Sequence, residues 1–213
     1  MRKEELKKLL LSFSEEDYST GVDLHLHSYE SDGKLDAKSI LEQAQKKGLK
    51  YIAISDHNTV DAYINTNVLS DDMVIPAVEF DCFYKGVLIH ILGYGINIDN
   101  KEIRELCSKT KIGCKCNLYR IFALRNPEKV IKAINNAGGI AVLAHPCCYW
   151  TFNLDEFIGL LAEKGLEGVE VYYPYKRLRS IVKFHSRSKI ASIADKYGLV
   201  KTGGSDFHGR KLS

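Results

Sequence analysis

The sequence lacks a long apolar run and has few prolines. No stretch of eighteen apolar residues occurs among its 213 residues, so a membrane span is not expected. The apolar segment Leu9–Leu11 near the start is too short for a signal peptide. With only 4 prolines and no low-complexity tract, no linker divides the chain. These absences predict a cytoplasmic protein with one domain.

A large net charge and several common nucleotide-binding and catalytic motifs are also absent. The 30 Lys and Arg residues nearly balance the 27 Asp and Glu residues, and the resulting net charge of +3 is too small to indicate binding of duplex nucleic acid. Neither the glycine-rich motifs for nucleotide phosphates nor the nucleophile motif G-x-S-x-G occurs. Six cysteines are present, but Cys114-Lys115-Cys116 lacks the C-x2-C spacing of a structural zinc site. We expect these cysteines to be reduced.

The remaining pattern alternates between strands and helices. Apolar runs of strand length lie at about 21–26, 50–55, 73–79, 86–96, 140–144, 168–173 and 199–204. Helical patterns lie at about 36–47, 60–67, 100–109, 127–137, 154–164 and 177–197. This alternation predicts an α/β fold whose parallel sheet or barrel is built from βα units. Leu6, Leu9, Leu10 and Phe13 share one helical face, which predicts an amphipathic N-terminal helix within an extension formed by residues 1–20.

Six of the seven histidines lie in short motifs at or near predicted strand ends. His25 and His27 are two residues apart on a strand, so their side chains project from the same face. Asp206 and His208 repeat that spacing near the end of the chain. Asp23 lies on the same face as the histidine pair and either orients a ligand or is a buried, hydrogen-bonded carboxylate. These motifs predict a metal site, because histidine is the commonest metal ligand.

Further candidate ligands follow other strands. Asp32 precedes a glycine, His57 follows the second strand, and Glu79 is predicted to end the third. His90 lies inside an apolar strand, whereas His145 precedes Pro146, which should hold it in an extended conformation. In α/β barrels the active site gathers at the carboxyl ends of the strands. The complete set comprises His25, His27, Asp32, His57, Glu79, His90, His145, Asp206 and His208, enough for two or three divalent ions, which we expect to be Zn, Mn or Fe.

These motifs, in this order, resemble the PHP (polymerase and histidinol phosphatase) superfamily of metal-dependent phosphoesterases. The similarity covers about residues 21–209 and rests on D-L-H-L-H-S, S-D-G, S-D-H-N-T, A-V-E, H-I-L-G-Y, A-H-P, G-V-E-V-Y-Y-P and G-G-S-D-F-H-G. It implies a distorted (β/α)7 barrel over residues 21–213 and a phosphorylated substrate. That substrate would be a small nucleotide, such as a 3′,5′-bisphosphonucleoside or nucleoside monophosphate, or a short oligoribonucleotide.

The resemblance also implies how the ligands are shared among three ions. One ion would be held by His25, His27, Glu79 and Asp206. A second would be held by Asp32, His57 and His208, and a third by Glu79, His90 and His145, with Glu79 bridging. Among the departures from the family pattern, the helical insert, at about residues 97–126, is short, and Cys147-Cys148 replaces a glycine after His-Pro.

Candidate substrate contacts follow the sixth predicted strand. Lys176, Arg177 and Arg179 follow a strand end and could bind phosphate, and Tyr173 could stack on a base. His185 lies in a predicted helix and is not expected to bind metal. No contact with a membrane is expected.

The hypothesis for the reaction is that a metal-bound hydroxide, with Asp32, His57 and His208 nearest to it, attacks the phosphorus of an ester. Two alternatives stay open. An amidohydrolase would also begin with an H-x-H motif, but it would break C–N bonds with one or two ions. A non-catalytic domain would bind a nucleotide or phosphate without turnover. The number of bound ions and the presence of turnover separate these three alternatives.

Overall fold

The protein has a mixed α/β fold. The computed structural model describes residues 1–64, 66–173 and 184–212, with the backbone alone at position 117. The strands are β1 (Val22–Leu26), β2 (Tyr51–Ile54), β3 (Ala77–Tyr84), β4 (Val87–Tyr94), β5 (Ile140–Leu143), β6 (Gly168–Tyr172) and β7 (Val200–Gly203). All seven predicted strands are therefore present in the described ranges.

Ten α-helices lie in the described ranges. They are α1 (Lys3–Ser12), α2 (Glu15–Thr20), α3 (Ala37–Lys46), α4 (Asp61–Ile64), α5 (Lys101–Leu106), α6 (Ile112–Lys115), α7 (Asn117–Ile121), α8 (Pro127–Asn136), α9 (Leu154–Glu163) and α10 (Arg187–Lys196). Asp36 caps α3, and Asn126 caps α8 ahead of its first-turn proline. None of these helices combines the length and apolar character that a bilayer crossing requires.

The sheet topology differs from the predicted succession of parallel βα units. Strands β1 and β2 form a parallel pair, and the other strands form a sheet in the order β3-β4-β5-β6-β7. Strand β4 is antiparallel to both β3 and β5, because the turn at Lys85 and Gly86 makes β3 and β4 a hairpin. The prediction of purely parallel strands was therefore wrong at β4.

Isolated backbone pairs join the two sheets. His57 pairs with Glu79 between β2 and β3, and Leu26 pairs with Phe207, which follows β7. The regular ladders of the described residues thus form two sheets, and the predicted continuous barrel is not seen among them. The pairs nevertheless bring the carboxyl ends of β1, β2 and β7 close together.

Two apolar clusters lie on opposite sides of the strands. The larger one packs helices such as α3, α8 and α9 against the sheets. The smaller one includes Leu6 and Leu10 of α1 together with Leu24, Leu92 and Val142 from three strands. Helix α1 therefore buries one side against the strands and is exposed on the other, as at Leu11.

Candidate metal centre

Strand β1 supplies His25, and His27 directly follows its last residue. The imidazoles of His25 and His27 are fully buried on the same face, and their ring centroids are 5.1 Å apart. Asp23 does not contact either ring; its Oδ1 accepts hydrogen bonds from the backbone N–H groups of His25 and Ser205. Of the two roles considered for Asp23, the hydrogen-bonded carboxylate is the one seen, and it fastens the loop after β7 to β1.

Glu79 lies at the centre of the histidine cluster. Its Oε2 is 3.2 Å from His25 Nε2, 3.3 Å from His27 Nε2 and 3.3 Å from His57 Nδ1. Its Oε1 is 2.9 Å from His90 Nδ1 and 3.3 Å from His145 Nε2. Glu79 was predicted to end β3, but the strand continues to residue 84, so this carboxylate lies within the sheet. One buried carboxylate thus contacts five imidazoles.

The loop after β7 brings Asp206 and His208 to the same centre. Asp206 Oδ1 lies 3.3 Å from His27 Nε2 and 3.7 Å from His25 Nε2. The loop passes so close to β1 that a Cβ on Gly204 would lie 2.4 Å from His25 Cβ. Asp206 itself has a left-handed φ of +49°, which is uncommon for a residue other than glycine and is often found at functional sites.

Asp32 and His57 extend the site on the other side of His27. Asp32 Oδ1 is 2.9 Å from His208 Nε2, and Asp32 Oδ2 is 3.9 Å from His57 Nε2. The turn that presents Asp32 packs tightly on the segment that follows β1, since a Cβ on Gly33 would lie 2.0 Å from the carbonyl oxygen of His27. A glycine is therefore required after Asp32 for this approach.

His145 reaches the centre in an unexpected conformation. Its φ and ψ are +27° and +54°, so the extended conformation predicted from the following proline was wrong. The His145 N–H donates to Glu170 Oε2 at 2.8 Å, which holds the backbone in this sparsely populated region. As a result, the ring of His145 stacks beside that of His25, with centroids 5.8 Å apart.

The side chains fit a group of bound cations. Four sets of ligand atoms each lie within 4.8 Å of one another: His27, Asp32, His57 and His208; His25, His27 and Asp206; His25, Glu79 and His145; and His57, Glu79 and His90. All nine predicted ligands occur in these sets. Several of their buried atoms lie close to one another but make no hydrogen bond of good geometry in the described part of the chain: His25 Nε2, His27 Nε2, Asp32 Oδ1, Glu79 Oε2, His145 Nδ1 and His208 Nε2. Buried polar atoms without partners are costly, and metal coordination would satisfy them.

The electrostatics favour ionised carboxylates at this centre. Burial by itself would raise the pKa of Glu79, but electrostatic interaction with the surrounding histidines, His57, His25 and His90, lowers that pKa well below its usual range. Burial opposes ionisation of Asp206 in the same way, and the charges of the nearby histidines hold its pKa well below normal. Burial lowers the pKa of His57 to about 4. The neutral imidazole of His57 and the carboxylates are the forms that coordinate metal.

Three residues of the site were missed by the sequence analysis. Glu170 Oε1 lies 2.9 Å from His25 Nδ1, on the opposite side of the ring from Glu79. Asp81 Oδ1 lies 3.2 Å from His90 Nε2 and 3.4 Å from His57 Nδ1. Arg120 of α7 contacts Asp81. Asp81 follows Glu79 by two residues on β3, and this same-face spacing was the available signal.

Of the residues predicted to contact substrate, only Tyr173 lies in the described part of the chain. Lys176, Arg177 and Arg179 lie outside the described residues, so their role stays a prediction. The Tyr173 hydroxyl donates to Asp206 Oδ2 at 2.8 Å, which places this side chain beside a candidate ligand. His185 belongs to none of the four ligand sets found in the described ranges.

The cysteine pair lies at the edge of the centre. Cys148 lines a cavity together with His145, Tyr173 and Asp206. Its Sγ is 3.6 Å from the Sγ of the buried Cys147. The thiol of Cys148 therefore faces the candidate ligands.

Comparison with known proteins finds similar sequences over most of the chain. A family model described as the PHP domain matches residues 23–203. The chain is 25% identical to the phosphoribosyl 1,2-cyclic phosphate 1,2-diphosphodiesterase of Eggerthella lenta, over 88% of this chain and 94% of that protein. It is 24% identical to the 3′,5′-nucleoside bisphosphate phosphatase of Chromobacterium violaceum, over 88% and 87% of the two chains.

A solved structure has the same fold. It is a protein of Bifidobacterium adolescentis, named as a candidate metal-dependent phosphoesterase, with a TM-score of 0.73 and 20% sequence identity. The superposition covers 91% of this chain and 90% of that one. The similarity thus extends over nearly the whole molecule.

Proposed function

The chain belongs to the PHP domain family, and on that basis we propose that it is a metal-dependent phosphoesterase, a hydrolase of phosphoric esters. The observation that carries the proposal is Glu79, a fully buried carboxylate within 3.3 Å of five imidazole nitrogens. We propose that residues 21–213 form the catalytic domain, that residues 1–20 form an N-terminal extension, and that the helical insert at 97–126 is short.

The nine candidate ligands would hold two or three divalent ions. Mixed imidazole and carboxylate donors suit Zn, Mn or Fe. Such ions neutralise the non-bridging oxygens of a phosphate ester and lower the pKa of a coordinated water. The set formed by His27, Asp32, His57 and His208 would hold the ion nearest the attacking group, and Glu79 would be a ligand in two further sets, one with His25 and His145 and one with His57 and His90.

The protein's own groups fix this arrangement before substrate arrives. Glu170 holds the Nδ1 side of His25, and the Tyr173 hydroxyl holds one oxygen of Asp206. Because the ligand side chains are mostly buried, they need little reorganisation to bind the ions and the phosphoryl group. Preorganisation of this kind is what phosphoryl transfer requires of a protein.

We propose a small phosphorylated metabolite as substrate, with a nucleotide as the leading candidate. The names of two relatives, a nucleoside bisphosphate phosphatase and a phosphoribosyl cyclic phosphate diesterase, support a phosphate ester on a ribose. Trp150 and Phe152, five and seven residues after His145, are 70% and 96% exposed with ring centroids 6.0 Å apart. Exposed aromatic rings of this kind can stack on a base.

A substrate panel tests the proposal. Protein reconstituted with Mn, Fe or Zn is offered 3′,5′-bisphosphonucleosides, nucleoside monophosphates and short oligoribonucleotides, and release of phosphate or nucleotide is measured. The Asp206→Ala variant serves as the control that should lose both metal and turnover. Turnover of a C–N substrate with one or two ions per chain would favour an amidohydrolase. Tight phosphate binding without turnover of any ester would favour a binding domain.

A further inference from the structure

A buried ion pair stands beside the candidate metal centre. Arg120 and Asp81 are only 6% and 2% exposed. Arg120 Nε lies 2.8 Å from Asp81 Oδ2, and Arg120 Nη2 lies 2.6 Å from Asp81 Oδ1. Two parallel hydrogen bonds of this kind fix the plane of a guanidinium as well as its position. Asp81 is fixed in turn, because its backbone N–H donates to Asn58 Oδ1 at 3.1 Å.

The guanidinium also reaches the ligands themselves. Arg120 Nη2 lies 2.7 Å from His57 Nδ1, and Arg120 Nη1 lies 3.3 Å from Asp32 Oδ2. Both His57 and Asp32 belong to the ligand set that also contains His27 and His208. A permanent positive charge is thus one contact away from the place where we expect the attacking group.

The ion pair lines an open cavity. This cavity has a volume of about 210 Å³, and the charged and imidazole side chains of its wall are those of Asp32, His57, Asp81, His90 and Arg120. The remaining wall is largely apolar and includes Leu88, Ile121 and Leu124. Such a cavity offers charge to a phosphoryl group at one side and an apolar surface to the organic part of an ester at the other.

A cation next to metal ions would by itself weaken their binding, so the repulsion between the Arg120 guanidinium and the ions must be offset by negative charge. Asp81 supplies part of that compensation, because it carries the opposite charge. The other part would come from an anion that both the ions and the guanidinium contact. The planar guanidinium matches the geometry of phosphate oxygens better than any other cationic side chain.

We propose that Arg120 binds the phosphoryl group of the substrate and that Asp81 is the positioning residue that holds it there. This inference rests on the proposed function, because it concerns the same reaction. It assigns phosphate recognition to the short helical segment that contains α7. In this arrangement the apolar wall of the cavity would contact the organic part of the ester.

Binding of inorganic phosphate to the metal-loaded protein tests the proposal without requiring turnover. Calorimetric titration is compared for the wild type, Arg120→Ala, Arg120→Lys and Asp81→Asn, with metal content measured for each. Arg120→Ala should weaken phosphate binding by about tenfold or more at unchanged metal content. Arg120→Lys should recover only part of the affinity, because a lysine keeps the positive charge but lacks the planar, two-pronged N–H donors of the guanidinium. In the ester assay the Arg120 variants should raise KM more than they lower kcat.

Arg125 provides the matched control. It is a half-buried arginine five residues further on, and its guanidinium donates to the carbonyl oxygens of Leu106 and Ala123 rather than facing the cavity. Arg125→Ala should leave phosphate affinity unchanged. Wild-type phosphate affinity in metal-loaded Arg120→Ala would overturn the proposal. So would loss of metal in Arg120→Ala combined with wild-type phosphate affinity in Arg120→Lys.

The two proposals fail in different ways. If the wild type hydrolyses no phosphate ester, the proposed function fails, and the phosphate titration still decides the role of Arg120. If the wild type hydrolyses an ester but the Arg120 variants keep its phosphate affinity and KM, the function stands and the inference about Arg120 is wrong.

Discussion

Glu170 and His25 form a fully buried pair that links β6 to β1, with Glu170 Oε1 2.9 Å from His25 Nδ1. The contact makes Nδ1 the protonated nitrogen and leaves Nε2 facing Glu79 at 3.2 Å. A carboxylate behind a histidine ligand fixes the ring and increases its basicity. Glu170 also accepts the N–H of His145, so one side chain positions two candidate ligands.

Replacing Glu170 by Gln should therefore weaken metal binding without removing a ligand. The amide would put N–H donors against either His25 or the backbone N–H of His145. We expect metal affinity to fall by about 10- to 100-fold, measured by competition with a chelator of known affinity. Glu167→Gln is the control, because Glu167 precedes the same strand and pairs with Lys3 and Lys7 instead. Equal metal affinity in both variants would contradict this role of Glu170.

Replacing Glu79 by Gln should have a larger effect. The substitution keeps the volume but removes the charge that lies between five imidazoles, so we expect fewer bound ions and at least about 100-fold slower ester hydrolysis. Elemental analysis and phosphate release measure the two effects, and far-UV circular dichroism checks the fold. A variant with the full complement of ions and normal turnover would show that the Glu79 carboxylate is not needed to hold the ions.

Metal loading should stabilise the folded protein, since it satisfies buried atoms that lack other partners in the described residues. One ion at a free concentration about 100-fold above its Kd adds about 2.7 kcal/mol to the free energy of unfolding. For a chain of this size that corresponds to a rise in Tm of about 5–10 °C. Differential scanning fluorimetry with Mn, with Zn and with a chelator measures it, and Asp206→Ala should respond less. An identical Tm in all three conditions would contradict the fit of the site to metal.

Cys148 should be unusually reactive in the metal-free protein. The hydrogen bond with the Cys147 thiol lowers the pKa of Cys148 to about 7, and the charge of His145 acts in the same direction against the effect of burial. Since the thiolate is the reactive form and predominates above the pKa, alkylation should increase through pH 7 and level off above about pH 8. Iodoacetamide labelling followed by peptide mass spectrometry gives the profile.

The control for that profile is Cys147→Ala. Removing the neighbouring thiol should move the midpoint for Cys148 towards the ordinary value for a cysteine, which is about 8.5. A midpoint near that ordinary value already in the wild type would contradict the proposed cause.

The sequence predicted all seven strands and grouped the nine candidate ligands together, because same-face spacing and the positions of strand ends can be read from local sequence. It placed Glu79 at a strand end because the apolar run from Val74 to Val78 stops there. The strand instead continues, because residues 80–84 pair with β4 in a hairpin. Lys85-Gly86 was the overlooked turn signal.

Long-range contacts explain what local patterns missed. The proline rule failed at His145, where a hydrogen bond to Glu170 on another strand holds the backbone in the left-handed region. Likewise, nothing in the spacing of Asp81 and Arg120, 39 residues apart, indicates that they form a pair. Such contacts depend on how α7 packs against β3, and no local periodicity encodes that packing.

The most direct test of the central claim is turnover measured as metal is returned to metal-free protein. Phosphate release from a 3′,5′-bisphosphonucleoside is followed while Mn is added in equivalents per chain. If the nine ligands form one multinuclear phosphoesterase centre, activity should stay low at the first equivalent and reach its plateau only when two or three ions are bound. Full activity at one equivalent, or no phosphate release when the centre is filled with Mn, Fe or Zn, would contradict the account.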